Sequence, residues 1–456
     1  MPLRHGAAGT ELASKPWHAG FFLPCGEKGT PRRAGRFRGA GVSAEPARGG
    51  LASVASGLAD LDGYKVTREE RHSTRVRAHL LQEMLRGETL RDGWRSEEVK
   101  QALDLCLACK GCLGECPVSV DIGTSKAEFL AHYYRHRLRP RAAWAMGGLP
   151  LWARLGSAAP RVANAVAKSH LGGALLRGLG GLAPERPLPR FAARSWTRSS
   201  GRASLESHGR GAPVLLWPDT FSNDFEPQVA EAAERVLGAA GFRVIVPRRG
   251  VCCGRPFYDF GMLGLARRAL QRTLDVLGPE LERETGPPVV VLEPSCLAVF
   301  RHELEVLLPD DPRAARLRAR SRSLAELLLE EKVPLPALSG RALLHGPCHQ
   351  KALWGIQADE ALLAATGVEL DLPDTGCCGL AGAFGFERGK YAASMAVGEQ
   401  ALLPALRGAS DTTWLVADGF SCRTQVNHAT GRPVLHLAQL LELGQGEGQV
   451  VQTAGP

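Results

Sequence analysis

The second half of the chain contains the same unit twice, and this repetition limits the fold more than anything else in the sequence. "VLLWPDTF" from Val214, "VCCGRPFYDFGMLG" from Val251 and "VLEPSC" from Val291 are answered in order by "ALLHGPCH" from Ala342, "GCCGLAGAFGFERG" from Gly376 and "VADGFSC" from Val416. Cys253 precedes Cys296 by 43 positions and Cys378 precedes Cys422 by 44. Matching order and spacing mark two consecutive copies of one structural unit. Short β-rich runs such as "RVIVP" and "PVVVLEP" alternate with helical patterns such as "PQVAEAAERVLGAAG" and "MLGLARRALQRTLDVLG". That alternation predicts α/β units with largely parallel strands, arranged as two pseudo-symmetric lobes. The cysteines fall where strands give way to loops, the usual place for a site in an open α/β sheet.

A chain of 456 residues has room for two or three domains. Residues 1–62, rich in Gly, Ala, Pro and Arg and without a sustained period, read as a disordered or poorly structured segment. Residues 63–140 read as a helical domain. Helical spacing runs from Val66 to Glu88, a second helix starts from an N-cap at Ser96, and a third lies near "SKAEFLAHYYRHRL". Residues 141–211 hold amphipathic helices and a linker, 212–338 and 339–443 the two repeats, and 444–456 a tail. Helical apolar stripes usually face protein, so the amphipathic helices are expected to pack between domains or against a partner subunit. A membrane-surface helix is the other reading.

No apolar run approaches the roughly 20 residues of a spanning helix, and "FFL" at Phe21 to Leu23 is too short for a signal peptide. The expected location is therefore the cytoplasm, free or peripheral on the inner face of the membrane. An excess of 56 Lys and Arg over 47 Asp and Glu raises the question of nucleic acid. The arginines are scattered and lack the aromatic interleaving of a single-strand binder, so they read as solvated faces and partner contacts, with no nucleic-acid partner expected.

Twelve cysteines sit in tight groups within a large α/β pattern, which favours metal binding over disulfides. Neighbouring Cα atoms are about 3.8 Å apart, below the usual disulfide range, so Cys252–Cys253 and Cys377–Cys378 do not close on themselves easily. The run Cys106, Cys109, Cys112, Cys116-Pro117 has the spacing of bacterial two-cluster ferredoxins, in which three close cysteines hold one cluster and the fourth usually reaches the other. Structural zinc more naturally uses two separated Cys-x2-Cys knuckles. Two adjacent thiolates with two more from distant loops can converge on one cluster, while Gly254 or Gly379 lets the backbone come close or turn with positive φ. The second copy offers Cys348, Cys377, Cys378 and Cys422; the first offers Cys252, Cys253 and Cys296, with Thr220 standing where Cys348 stands. Buried, inert thiols are the bland alternative. Cys25 has no companions. His345 and His349 bracket Cys348 and could supply a ligand, a hydrogen bond or only loop structure; Glu293 reads as a capping or salt-bridge residue rather than a ligand.

On these residues the chain resembles the iron–sulphur half of FAD-linked D-2-hydroxyacid oxidases, the group of glycolate oxidase and D-lactate dehydrogenase. The similar segments are "VTREERHSTR", "LDLCLACKGCLGECPVSVDIGTSKAEFLAHYY", "CCGRPFYDFGMLG", "LEPSCLAVFR", "DTGCCGLAGAFGFE" and "VADGFSCRTQ", spanning roughly Val66 to Leu443. The tandem units look like the CCG domains shared with heterodisulfide reductase and the iron–sulphur component of anaerobic glycerol-3-phosphate dehydrogenase. The resemblance implies an α/β fold with a helical ferredoxin-like domain before two CCG repeats. It also implies a 4Fe-4S cluster in the ferredoxin-like domain and a second in the second CCG repeat. Electrons would pass from FAD on a partner dehydrogenase subunit to a quinone or other, membrane-associated acceptor. Three departures stand out. No segment has the pattern of a FAD-binding domain, so the flavin is expected on another chain or the protein is a truncated remnant. Leu61 and Asp62 occupy the place of the Cys-Pro that ends the family's first ferredoxin motif. Glu293 and Gly419 replace the earlier cysteine of each closing Cys-x2-Cys. The leading expectation is an electron-transfer subunit or fragment of such an oxidoreductase. The alternatives are a heterodisulfide-reductase-like thiol/disulfide protein and a non-catalytic metal-stabilised scaffold.

Overall fold

A computed structural model describes residues 63–115, 120–199, 211–247, 250–283 and 285–445. The segment 1–62, Cys25 and Cys116 lie outside them. The described chain is α/β: a helical N-terminal region followed by two parallel sheets, one in each repeat.

The N-terminal region forms because its apolar residues recur at helical spacing and its helices have good caps. Ser73 accepts from the Val76 N–H to start helix Thr74–Arg86, and Gly87 in the left-handed region ends it. Ser96, the expected cap, accepts from the Val99 N–H and starts Glu97–Asp104. Asp121 accepts from the Thr124 N–H and starts Ile122–Tyr133. Leu81, Met84, Val99, Leu103, Ile122 and Phe129 close a small core around Cys106.

In the first repeat β1 (Pro213–Leu216), β2 (Arg243–Ile245), β3 (Val289–Val290) and β4 (Ser321–Arg322) pair in the order β2-β1-β3-β4, all parallel. In the second, β5 (Arg341–Leu344), β6 (Glu369–Asp371) and β7 (Trp414–Val416) pair in the order β6-β5-β7. A parallel bridge from Val416 to Leu435 extends this sheet on the side where the first repeat has β4. The two topologies match.

Strand alternation then sorts the side chains. Val214, Leu216 and Val290 of the first sheet and Ala342, Leu344 and Val416 of the second face one shared core. Helices Pro227–Ala239, Leu324–Glu330, Gln357–Thr366 and Leu437–Gln445 contribute their apolar faces to it. Leu215 and Val289 point the other way, towards helix Leu263–Leu281, while Leu343 and Leu415 point towards the cysteine-rich side of the second repeat. Both sheets are thus covered on both faces, as parallel sheets require.

The stretch read as linker is packed where it is described. Ala183 N–H donates to the Phe386 carbonyl at 2.7 Å. Arg186 is buried, donating to the Gly385 carbonyl at 3.1 Å and Ser394 Oγ at 3.0 Å. Trp196 is buried in the shared core. Loop composition identified a connection but could not show that a guanidinium in it has a binding place on the second repeat.

Candidate functional site

In the second repeat the cysteines leave the C-terminal ends of three parallel strands. Cys348 opens helix Cys348–Leu353 after β5, Cys377 and Cys378 lie on the loop after β6, and Cys422 sits in helix Phe420–Thr430 after β7. All four are buried. Their thiols neighbour one another in the order Cys348, Cys377, Cys378, Cys422. Hydrogen bonding from Cys377 holds Cys348 well below the ordinary thiol range, outweighing burial, with help from His349. Hydrogen bonds from Cys377 and Cys422 do the same for Cys378, and the two donors are pushed up. Cys377 Sγ also accepts from the Gly379 N–H at 3.3 Å. Gly379 has φ +88°, and a Cβ there would lie 2.0 Å from the Ser394 carbonyl oxygen, so the turn requires glycine.

Two cationic or imidazole groups attend these thiols. His345 is buried; its Nδ1 pairs with Thr375 Oγ1 at 2.8 Å, while Nε2 has no partner among the described residues. Burial pushes its pKa down to about 3, so the ring is neutral. Lys351 Nζ donates to the carbonyls of Thr375 and Gly376, fastening the approach to the cysteine pair. Burial lowers its pKa, while Cys348, Cys377 and Cys422 pull it back up.

The first repeat uses the same scaffold with different chemistry. Thr220 opens helix Thr220–Asp224 after β1, Cys252 and Cys253 follow β2, and Cys296 lies in helix Pro294–Ala298 after β3. Cys252 Sγ accepts from the Gly254 N–H at 3.4 Å, the counterpart of the Cys377 contact, and Gly254 has φ +85°. Thr220 hydrogen-bonds Cys252. The hydrogen bond with Cys253 pushes Cys252 up, with burial adding to it. The bond with Cys253 lowers Cys296, but burial and the Asp219 and Glu293 carboxyls outweigh it and bring the thiol to about 12. The three thiols of this copy are therefore protonated, whereas the second copy holds two of its four low.

Of the capping and salt-bridge roles expected of Glu293, the structure shows capping, and of two helices. Oε1 accepts from Ser295 N and Oγ at 3.3 and 2.8 Å, and Oε2 accepts from Phe420 N at 2.9 Å. It thereby ties the helix carrying Cys296 to the helix carrying Cys422.

The N-terminal cysteine loop docks between the repeats. Ala108 (φ 53°) and Lys110 (φ 67°) adopt the left-handed region, which wraps the backbone around Cys106, Cys109 and Cys112. Cys112 Sγ accepts from Ile122 N at 3.4 Å. Lys110 is buried and binds Asp121 at 2.5 Å, Thr124 Oγ1 at 2.7 Å and Glu303 of the first repeat at 3.1 Å. Arg255, just beyond Cys253 and Gly254, also binds Glu303 at 3.1 Å and donates Nη2 to the Ala108 carbonyl at 3.2 Å. The same guanidinium meets His349 Nε2. His349 Nδ1 lies 4.0 Å from Cys348 Sγ, and its Nε2 lies 3.1 Å from the Ala108 carbonyl oxygen. Burial pushes the Cys109 thiol well above the ordinary range, and the neighbouring Cys348 adds to the rise. One knot of Ala108, Arg255 and His349 thus joins all three cysteine groups.

No local sequence pattern marks Arg255, Lys110 or Glu303 as site residues. A basic residue inside each cysteine loop was the available signal, but partners this distant leave no local pattern. Among the described residues, no group of three or more His, Cys, Asp or Glu side chains has the arrangement to hold a single metal ion.

The cysteine-rich domain family, CCG, matches the chain twice, over residues 219–301 and 342–426. The chain is 27% identical to D-2-hydroxyglutarate dehydrogenase of Escherichia coli (strain K12) over 359 residues, 76% of this chain and 34% of that protein. It is 28% identical to one subunit of the anaerobic glycerol-3-phosphate dehydrogenase of the same organism over 267 residues, 56% of this chain and 66% of that one. It is 27% identical to lactate utilization protein A of Bacillus cereus (strain G9842) over 182 residues, 38% and 73% of the two chains. The match thus spans about a third of the D-2-hydroxyglutarate dehydrogenase. Matching topologies, paired glycine turns and the double family match agree: the chain carries two tandem CCG cysteine-rich domains and is a relative of these dehydrogenase proteins.

Proposed function

We propose that this chain is the iron–sulphur electron-transfer part of an FAD-linked 2-hydroxyacid oxidoreductase of the glycolate or D-lactate kind. It would take electrons from a flavin on a partner chain and pass them to a quinone or other acceptor. The observation that carries the reading is the buried all-sulphur set of Cys348, Cys377, Cys378 and Cys422, two of them held low, beside the loop of Cys109. Soft thiolates fit an iron–sulphur group. The buried Nε2 of His345, without a partner among the described residues, also fits such a group.

In this reading Cys348, Cys377, Cys378 and Cys422 hold one 4Fe-4S cluster, and Cys106, Cys109 and Cys112 with Cys116 hold another. Cys252, Cys253 and Cys296 supply only three thiols. A bound cluster supplies reversible one-electron transfer. The chain's own residues set the conditions: the Gly379 and Ile122 N–H groups donate to sulphur, Lys351 offsets negative charge, and burial keeps water away. The names of two relatives as dehydrogenase proteins, one of them part of a multi-chain enzyme, support the reaction class and a partner chain.

The test is iron, zinc and acid-labile sulphide per chain on anaerobically purified protein, with low-temperature EPR of the reduced sample. About four irons and four sulphides per occupied site are expected. Zinc alone, or no metal after reconstitution, would overturn the reading.

A further inference from the structure

Residues 129–184 contain no aspartate or glutamate, although 47 acidic residues in 456 would put about six in a stretch of that length. The same stretch carries eight Lys and Arg. It also holds eleven of the fifteen large apolar side chains exposed among the described residues.

The exposure is ordered. Helix Leu149–Gly156 exposes Leu151 and Leu155, helix Pro160–Lys168 exposes Val162 and Val166, and helix His170–Gly180 exposes Leu171, Leu175 and Leu179. Each set is spaced by four residues and so forms a stripe along one side of its helix. Leu171 is 82% exposed, Val162 64% and Leu179 62%, and Trp144 and Trp152 are about half exposed. Arg161 and Lys168 flank the Val162 stripe and are exposed. Among the described residues, no carboxylate pairs with Arg141, Arg161, Lys168 or Arg177.

The helices are anchored to the body. Arg154 donates to the Gly250 carbonyl at 2.9 Å, and the Asn164 amide both donates to Phe191 O at 2.8 Å and accepts from Phe191 N at 2.9 Å.

We propose that the helices between Arg141 and Gly180 form a docking face for an anionic phospholipid surface. Leucine and valine stripes enter the acyl boundary, the two tryptophans sit at head-group level, and Arg161 and Lys168 meet lipid phosphates. Charge complementarity selects lipid over protein. The core of a protein interface is depleted of charge, whereas here cations and apolar groups interleave along the same short helices without an acid among them. No described helix is long and apolar enough to cross a membrane, so the contact is in the plane of the surface. The inference does not depend on whether the cysteines hold metal.

The full chain is floated with vesicles of phosphatidylcholine, and with vesicles of phosphatidylcholine mixed with phosphatidylglycerol. Binding about tenfold or more tighter to the anionic vesicles is expected, falling as salt screens the charges. Because the first 62 residues are also basic, variants decide the location. Leu171→Glu with Leu175→Glu, and separately Arg161→Glu with Lys168→Glu, should each weaken binding about tenfold or more; these exposed positions leave folding intact, checked by circular dichroism. Equal binding to both vesicle types, or variants that bind like the parent, would overturn the proposal. Absence of vesicle binding, with variant-sensitive self-association or flavoprotein binding instead, would also overturn it and give the face to a second copy or to the partner.

Discussion

Replacing Gly379 by alanine should damage this protein far more than the same change at Gly389, although both glycines have nearly the same backbone conformation, φ +88° and +84°. A Cβ in the left-handed region costs about 1–2 kcal/mol at either position. Around Gly389 nothing lies within 4 Å of the added carbon, so that strain is the whole effect, offset in part by a stiffer unfolded chain. At Gly379 the carbon would stand 2.0 Å from the Ser394 carbonyl oxygen and 3.1 Å from the Gly398 nitrogen. Both contacts are backbone of helix Tyr391–Gly398 and its end, so the helix must move, adding about 1–3 kcal/mol or more. The expected losses are about 1 kcal/mol for Gly389→Ala and about 3–5 kcal/mol for Gly379→Ala. Gly254→Ala, with the Ala266 carbonyl at 2.9 Å, falls between them. Urea unfolding followed by far-UV circular dichroism reads the series. With a slope of about 2–3 kcal/mol/M, the Gly379 variant should lose about 1–2 M in midpoint. Equal midpoints for Gly379→Ala and Gly389→Ala would refute the packing of the cysteine turn against that helix.

Three further outcomes are expected. Thr220→Cys gives the first repeat a fourth thiol beside Cys252, and anaerobic reconstitution should then load about four more irons per chain than the parent; unchanged iron would show that the copies are not equivalent sites. Burial, with Asp219 adding, raises Glu293 from 4.5 to about 7. The folded protein therefore holds a proton there that the unfolded chain releases, so this contribution is full below about pH 4.5 and lost as pH rises towards 7. Glu293→Gln should remove a slope worth up to about 3 kcal/mol across that window, read as the difference between parent and variant unfolding midpoints; parallel pH profiles would contradict it. Lys110→Met leaves the buried Glu303 carboxylate with Arg255 alone and should cost about 3–5 kcal/mol by thermal or urea unfolding. A loss below about 1 kcal/mol would mean that the cysteine loop is not held by that ion pair.

The chain's two copies, their parallel α/β character, the glycine turns and the Ser96 cap are all legible in the sequence, because each rests on short-range pattern: strand and helix periods, a residue beside a turn, a serine before a helix. Linear spacing also indicated which cysteines belong to each copy. The arrangement between elements was beyond its reach. Arg255 meets the Ala108 carbonyl across 147 positions and His349 meets it across 241, and no local preference encodes such a meeting. The same holds for Arg186, whose place in a polar, loop-like stretch gave no sign of the buried site it fills on the second repeat. The amphipathic helices between Arg141 and Gly180 show the division most clearly. Their period announced apolar stripes, and the expectation was that protein would cover them. Whether a stripe is covered depends on what the rest of the chain brings to it, and among the described residues the chain leaves Leu171, Val162 and Leu179 in the open. Sequence determines which side of a helix is apolar, because side-chain direction follows the helical period; only the tertiary structure decides whether that side becomes core or surface, because burial is a property of neighbours.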